Sequence, residues 1–232
     1  MNFPRIRMSV LRRVRQNQYF GLTLWWEDYK ITDLDAAGKL QNENILGASG
    51  GTTIGVGPSF VHDARNSVFF PTTGWYIEGN LLTFPEKLGS AYSFSSLDLN
   101  ARLFHAWSSS HTLALDAFAT SKWGDVPFNM LAFIGGSRRM RGYFEGQYRD
   151  LHAVQLQAEH RWLFSPRWGV VGFLAVGSAL SNFKQVQENE LLTTTGVGLR
   201  FAIDKARKLN LRLDAGFGKQ TSGYYLTVGE AF

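Results

Sequence analysis

Residues 209–218 read LNLRLDAGFG, and this decapeptide sets the period of the whole chain. Leu209, Leu211, Leu213, Ala215 and Phe217 fall on one side of a period-two pattern, while Asn210, Arg212, Asp214, Gly216 and Gly218 fall on the other. Successive side chains of a β-strand point to opposite faces, so one face here is apolar and the other charged. The chain then closes with GYYLTVGEAF (223–232), in which Tyr224, Leu226, Val228 and Phe232 repeat the apolar side. When such strands recur and end on an aromatic, lipid is the natural solvent for the apolar face and the polar face lines a lumen.

Composition agrees. No run of 18 apolar residues occurs, which excludes a helical membrane protein. A mean hydropathy of −0.15 does not exclude a barrel, because half of its strand residues face a polar interior. Cysteine is absent, which excludes a disulfide scaffold and zinc–thiolate sites and suits passage through an oxidising periplasm. The net charge is +5, with basic residues spread along strands and turns except in RIRMSVLRRVR (5–15). That run also alternates like a strand, so no nucleic-acid partner is expected. The first sixteen residues carry charge but no apolar h-region. An exported barrel needs a signal, so this chain is expected to be the C-terminal part of a longer protein.

Eleven strand-like segments follow at meander spacing, near 5–14, 17–30, 52–63, 73–84, 91–105, 110–121, 151–164, 167–180, 192–204, 209–218 and 223–232. Most have the 10–14 residues that a tilted strand needs to cross a bilayer. Long connections (31–51, 85–90, 122–150, 181–191) lie on one side and mostly short turns on the other, as in bacterial outer-membrane barrels. The C-terminus then falls on the periplasmic side. The polar faces carry both signs of charge, for example Gln155, Gln157, Glu159 and Arg161 against outward Val154, Leu156 and Ala158. Trp26, Trp75, Trp107, Trp162 and Trp168 sit near strand ends, where an aromatic girdle belongs. A soluble β-sandwich or lipocalin-like barrel would instead put the apolar face inside; the lumen-side charges and glycines argue against it. Eleven strands is odd for a bacterial single-chain barrel, so either a strand is missing (39–47 is a weak twelfth) or strands precede this chain.

Three motifs carry a family resemblance. LAFIGGSRRMRGYFEGQ occupies the longest loop, with Gly135, Gly136 and Gly142 and an Arg141-Gly142-Tyr143 triplet placed before the last five strands. DARNSVFFPTTGWYIEG (63–79) has Asp63, Arg65, Asn66, Pro71 and Gly74 at the spacing of a turn between strand ends. The terminal strand carries Tyr224, Leu226, Val228 and Phe232. With these, residues from about 51 to 232 resemble the BamA/TamA-like outer-membrane β-barrel superfamily, the bacterial surface antigen family. The resemblance implies an all-β, antiparallel transmembrane barrel with 11–12 strands in this chain, the C-terminal part of a sixteen-strand barrel. It also implies a single domain over 1–232 without POTRA domains, a loop folded into the lumen through Arg141, a periplasmic turn at 63–74, and a C-terminal assembly signal. Arg141 is expected to be held by Glu159. Ala175 stands where a second acid is common, and Asp116 is an alternative partner. Glu230 departs from the apolar residue usual third from the end.

Other motifs are weaker. Gly47-Ala48-Ser49-Gly50-Gly51 fits G-x-S-x-G but leads into a strand, not a helix. The five histidines lack ligand spacing, and Gly218-Lys219 lacks the rest of a phosphate-binding loop. The expectation is therefore a non-enzymatic barrel without cofactor in the bacterial outer membrane. Its partners would be outer-membrane lipid, the barrel assembly machinery and client outer-membrane or secreted proteins. The alternatives are a barrel that anchors or exports an attached enzyme such as a patatin-like lipase, or a passive pore.

Overall fold

A computed structural model describes residues 4–32, 45–182 and 191–232. The strands are β1 (Arg5–Arg15), β2 (Gln18–Tyr29), β3 (Gly51–Asp63), β4 (Gly74–Phe84), β5 (Phe94–Ala106), β6 (His111–Gly124), β7 (Ala132–Ile134), β8 (Tyr148–Asp150), β9 (His152–Leu163), β10 (Trp168–Leu180), β11 (Leu192–Asp204), β12 (Leu209–Gly218) and β13 (Thr221–Val228). Eleven of them form one antiparallel sheet in the order β1-β2-β3-β4-β5-β6-β9-β10-β11-β12-β13. Every connection within it is to a spatial neighbour, so the sheet is a meander. The other two, β7 and β8, form a separate small ladder that the period-two reading did not resolve; they are only three residues each. Most of the weak strand at 39–47 lies outside the described residues.

Register aligns the two faces from strand to strand. Leu213 opposes Leu199 on β11 and Leu226 on β13, so the apolar sides form one continuous surface. Leu213 is 50% exposed and Leu226 67%. Such a surface on nearly every strand requires an apolar solvent. Trp75, Trp107, Trp162 and Trp168 are exposed at the sheet end that carries the short turns, and Trp26 and Trp123 at the other. The opposite face is polar and hydrogen-bonded across strands. Ser9 meets Thr23 (2.7 Å), Thr23 meets Ser59 (2.6 Å), and Ser59 donates to Asn80 Oδ1 (2.7 Å).

The segment between β6 and β9 lies over this polar face. Val126 and Met130 pack on Leu82, Phe84 and Phe94. Ala132, Ile134, Met140 and Tyr143 pack on Ala153, Ala175 and Leu192. Two of the apolar clusters therefore sit between this segment and the sheet.

Two details differ from the sequence reading. The last strand stops at Val228, four residues short of the chain end. Asn210, on the face expected to line an open lumen, is 3% exposed and bonded to Glu230. Outward positions remain the clean test. Leu213→Arg should destabilise the protein by about 2–4 kcal/mol in a lipid refolding titration if the site lies near mid-bilayer, whereas Leu213→Phe should stay close to wild type. Equal tolerance of the two would place this face away from lipid.

Candidate functional site

The motif Gly135–Tyr143 follows directly on β7. Gly142 has φ +116, and a Cβ there would lie 2.9 Å from the carbonyl carbon of Gly216 on β12. A Cβ on Gly216 would in turn lie 2.4 Å from the Arg141 carbonyl oxygen. Two glycines from distant segments thus let backbone meet backbone. Polar contacts fasten the junction. Gly142 N donates to the Tyr225 hydroxyl (2.9 Å), Thr221 Oγ1 donates to the Gly142 carbonyl (2.9 Å), and Thr194 Oγ1 donates to the Arg141 carbonyl. The Tyr143 hydroxyl donates to the Thr193 carbonyl (3.1 Å) and accepts from Lys219 N (3.0 Å).

This junction places Arg141 on the polar face with no solvent exposure. Its Nη2 donates to Glu159 Oε2 (2.7 Å) and its Nη1 to Asp214 Oδ2 (2.5 Å). The guanidinium lies 3.5 Å from the Phe173 ring centroid. Both carboxylates are themselves fully buried. A buried charge must be paired, and the two carboxylates pair this one through both of its Nη groups.

The structure corrects the expected partners. Glu159 takes part, but the second acid is Asp214 on β12; Asp116 does not touch Arg141. Asp116 instead accepts from Arg139 Nε (2.5 Å) and Arg102 Nε (3.2 Å). Sequence alternation had placed Asp214 on the polar face; what it lacked was the position of the loop across β10–β13. Ala175 on β10 leaves room there and packs among Ile134, Met140 and Tyr143. The clamp extends further. Glu159 Oε1 accepts from Arg161 Nε (2.8 Å), and Asp214 Oδ1 accepts from Arg200 Nη1 (2.5 Å), with Arg212 Nε at 3.5 Å from Asp214 Oδ2. Arg161, Arg200 and Arg212 were not singled out from sequence, because a charged residue on a lumen face carries no local sign of its partner.

The second motif forms one compact turn. Arg65 forks onto Asp63 (Nε 2.9 Å, Nη2 2.8 Å) and lies over Tyr76. Asn66 Oδ1 accepts from the Thr72 and Thr73 amides (3.0 and 3.3 Å). Gly74 has φ +99, and a Cβ there would strike the Ala64 carbonyl. The Pro71 carbonyl accepts from Arg161 (3.4 Å).

The third motif is divided. Tyr224, Leu226 and Val228 are exposed on the apolar face. Phe232 is not with them; it is 6% exposed, in a cluster with Phe104 and Ala114. Gly229, at φ +93, ends the strand and turns the chain onto the polar face. There Glu230 accepts from Arg200 Nε (2.8 Å) and Asn210 Nδ2 (2.7 Å), a pairing that an outward strand would forgo. The G-x-S-x-G stretch is a turn that leads into β3, and no helix follows it.

Fold and site together define a transmembrane β-barrel wall of the outer-membrane type, bearing a long segment on its polar face. A family profile described as the Omp85 superfamily domain matches residues 5–232, and the chain belongs to that superfamily. A search of curated proteins gives no match. Among solved structures, the chain is similar to BamA from Haemophilus ducreyi lacking POTRA domains 1–3, with a TM-score of 0.69 at 13% identity. The alignment covers 97% of this chain and 53% of that one, so the chain spans about half the length of the structure it matches. At this identity the likeness concerns the fold.

Removing one partner of a buried ion pair strands the other, at a cost of about 3–5 kcal/mol. Asp214→Asn and Glu159→Gln should therefore each destabilise the protein measurably in a detergent refolding titration, and Asp116→Asn should leave the Arg141 pairing intact. A double-mutant cycle between Arg141→Ala and Asp214→Ala should show a coupling of about 0.5–3 kcal/mol. Additive effects would mean that the contact seen here contributes nothing.

Proposed function

We propose that this chain is the lumen-forming wall of a protein insertion or translocation device in the bacterial outer membrane. The polar face is its lumen, residues 135–147 its inward loop, and 64–73 a periplasmic turn. The observation that carries the reading is the Arg141 fork between Glu159 and Asp214, on a loop whose backbone is keyed into the wall at Gly142 and Gly216. A loop held this way shapes the passage without blocking the exposed strand edges. The strand β13 stands at one end of the sheet order. A strand edge in lipid presents unpaired N–H and C=O groups, so a seam there can receive an incoming strand by edge pairing. Tyr224, Leu226 and Val228 would be read by the assembly machinery as part of the terminal strand, and client outer-membrane or secreted proteins would be the cargo.

A polar cavity of about 570 Å³ beside the loop, with Arg7, Glu78, Asp98, Lys122 and Arg139 among its lining, supports a second reading as a pore. Cells that depend on the full-length protein separate the two. Arg141→Ala should lower assembly or export of client proteins while the protein itself still reaches the outer membrane. In planar bilayers the same variant should change conductance. Normal client handling together with altered conductance would favour the pore, and no change in either would remove the loop from the mechanism.

A further inference from the structure

Arg161 is the meeting point of three separate segments. On β9, its Nε donates to Glu159 Oε1 at 2.8 Å. Its Nη2 donates to the Phe232 main-chain oxygen at 2.9 Å and its Nη1 to the Pro71 carbonyl at 3.4 Å. The rings of Phe70, Phe104 and Phe232 surround the guanidinium, with centroids 5.6, 5.6 and 5.5 Å away. These distances fall within the range at which a cation is drawn to an aromatic face. Two residues back from the chain end, Glu230 accepts from Arg200 Nε at 2.8 Å and lies 4.0 Å from Arg161 Nε. The last three residues thus occupy a built site made of two buried arginines, Asn210 and the rings of Phe70 and Phe104.

Those two arginines are the same ones that hold the loop clamp. Arg161 binds Glu159, and Arg200 binds Asp214; Glu159 and Asp214 are the two acids that hold Arg141. Two short routes therefore run from the tail to the loop, each through one arginine and one carboxylate. Their sign follows from charge. Around the clamp, Arg141, Arg161, Arg200 and Arg212 face Glu159, Asp214 and Glu230. If Glu230 leaves, four guanidiniums share two side-chain carboxylates in a site closed to water. Arg161 and Arg200 then draw harder on Glu159 and Asp214, and holding Arg141 there becomes less favourable.

The geometry points to a C-terminal latch: residues 230–232 dock in the Arg161–Arg200 site, and their docking favours the docked state of the 135–147 loop. The inference rests on the reading of residues 135–147 as the inward loop of the lumen. Gly229 is the hinge on which the tail turns inward, at φ +93. The 64–73 turn closes the same site from below through Phe70 and Pro71.

Thiol accessibility in the purified full-length protein, with any other cysteines removed, tests the latch without using client assembly. Its outcome is therefore independent of the proposed function. Met140 is fully buried in the loop and Ala231 is 2% exposed in the tail, so Met140→Cys and Ala231→Cys report release of each. Glu230→Gln should raise the labelling rate of Cys at 140 by about fivefold or more, the lower end of typical coupling between sites. Phe232→Leu, a milder change that keeps apolar bulk, should act in the same direction. Because coupling is reciprocal, Arg141→Lys should raise labelling at 231. Outward-facing Tyr224→Ala should change neither. If both tail variants speed labelling at 231 while labelling at 140 stays at the wild-type rate, the tail is a local plug and the latch is overturned.

Discussion

Arg141 is a full positive charge held where water does not reach, and much of the polar face is arranged around that fact. An unpaired guanidinium in such a place would cost several kcal/mol, so carboxylates must reach it from the wall. Glu159 and Asp214 do so from β9 and β12, with two strands between them. Each of those acids is in turn held by its own arginine. The result is a charge lattice, not a single salt bridge. It explains why the polar faces of β9, β11 and β12 carry charge at positions where a smaller polar residue would suffice for a hydrated pore.

Charge alone would not bring the loop close enough. The backbone contact of Gly142 with Gly216 lets Arg141 extend between the two acids, and the Tyr143 and Tyr225 hydroxyls close the sides. Side chains at either glycine would hold the loop off the wall. The same economy appears at the other end of the lumen, where the 64–73 turn and the C-terminal tail both bring main-chain oxygens to Arg161. Loop, turn and tail reach one polar lattice from three directions, and the sheet serves as the frame that fixes their distances.

The outward face obeys a different rule. It needs no specific partners, only apolar side chains in register across the strands. This separates the molecule into a tolerant exterior and a lumen in which single atoms matter.

The eleven strands of the large sheet and their two faces were legible in the sequence, because alternation in a strand is local: the side of Leu213 or Glu159 depends only on its neighbours in the chain. The motif glycines and Arg141 stood out in the sequence only through the family resemblance. Tertiary structure alone decided who meets whom. Asp214 and Asp116 both lie on the polar face, and only the register of β6, β9 and β12 beneath the loop assigns the first to Arg141 and the second to Arg139. The terminal Phe232 follows the outward parity of Tyr224 and Leu226, yet it lies inside. Gly229 breaks the period, and Glu230 finds its counter-charges on Arg200 and Arg161, residues distant in sequence. Periodicity records local direction, whereas pairing depends on contacts between strands that a period cannot encode.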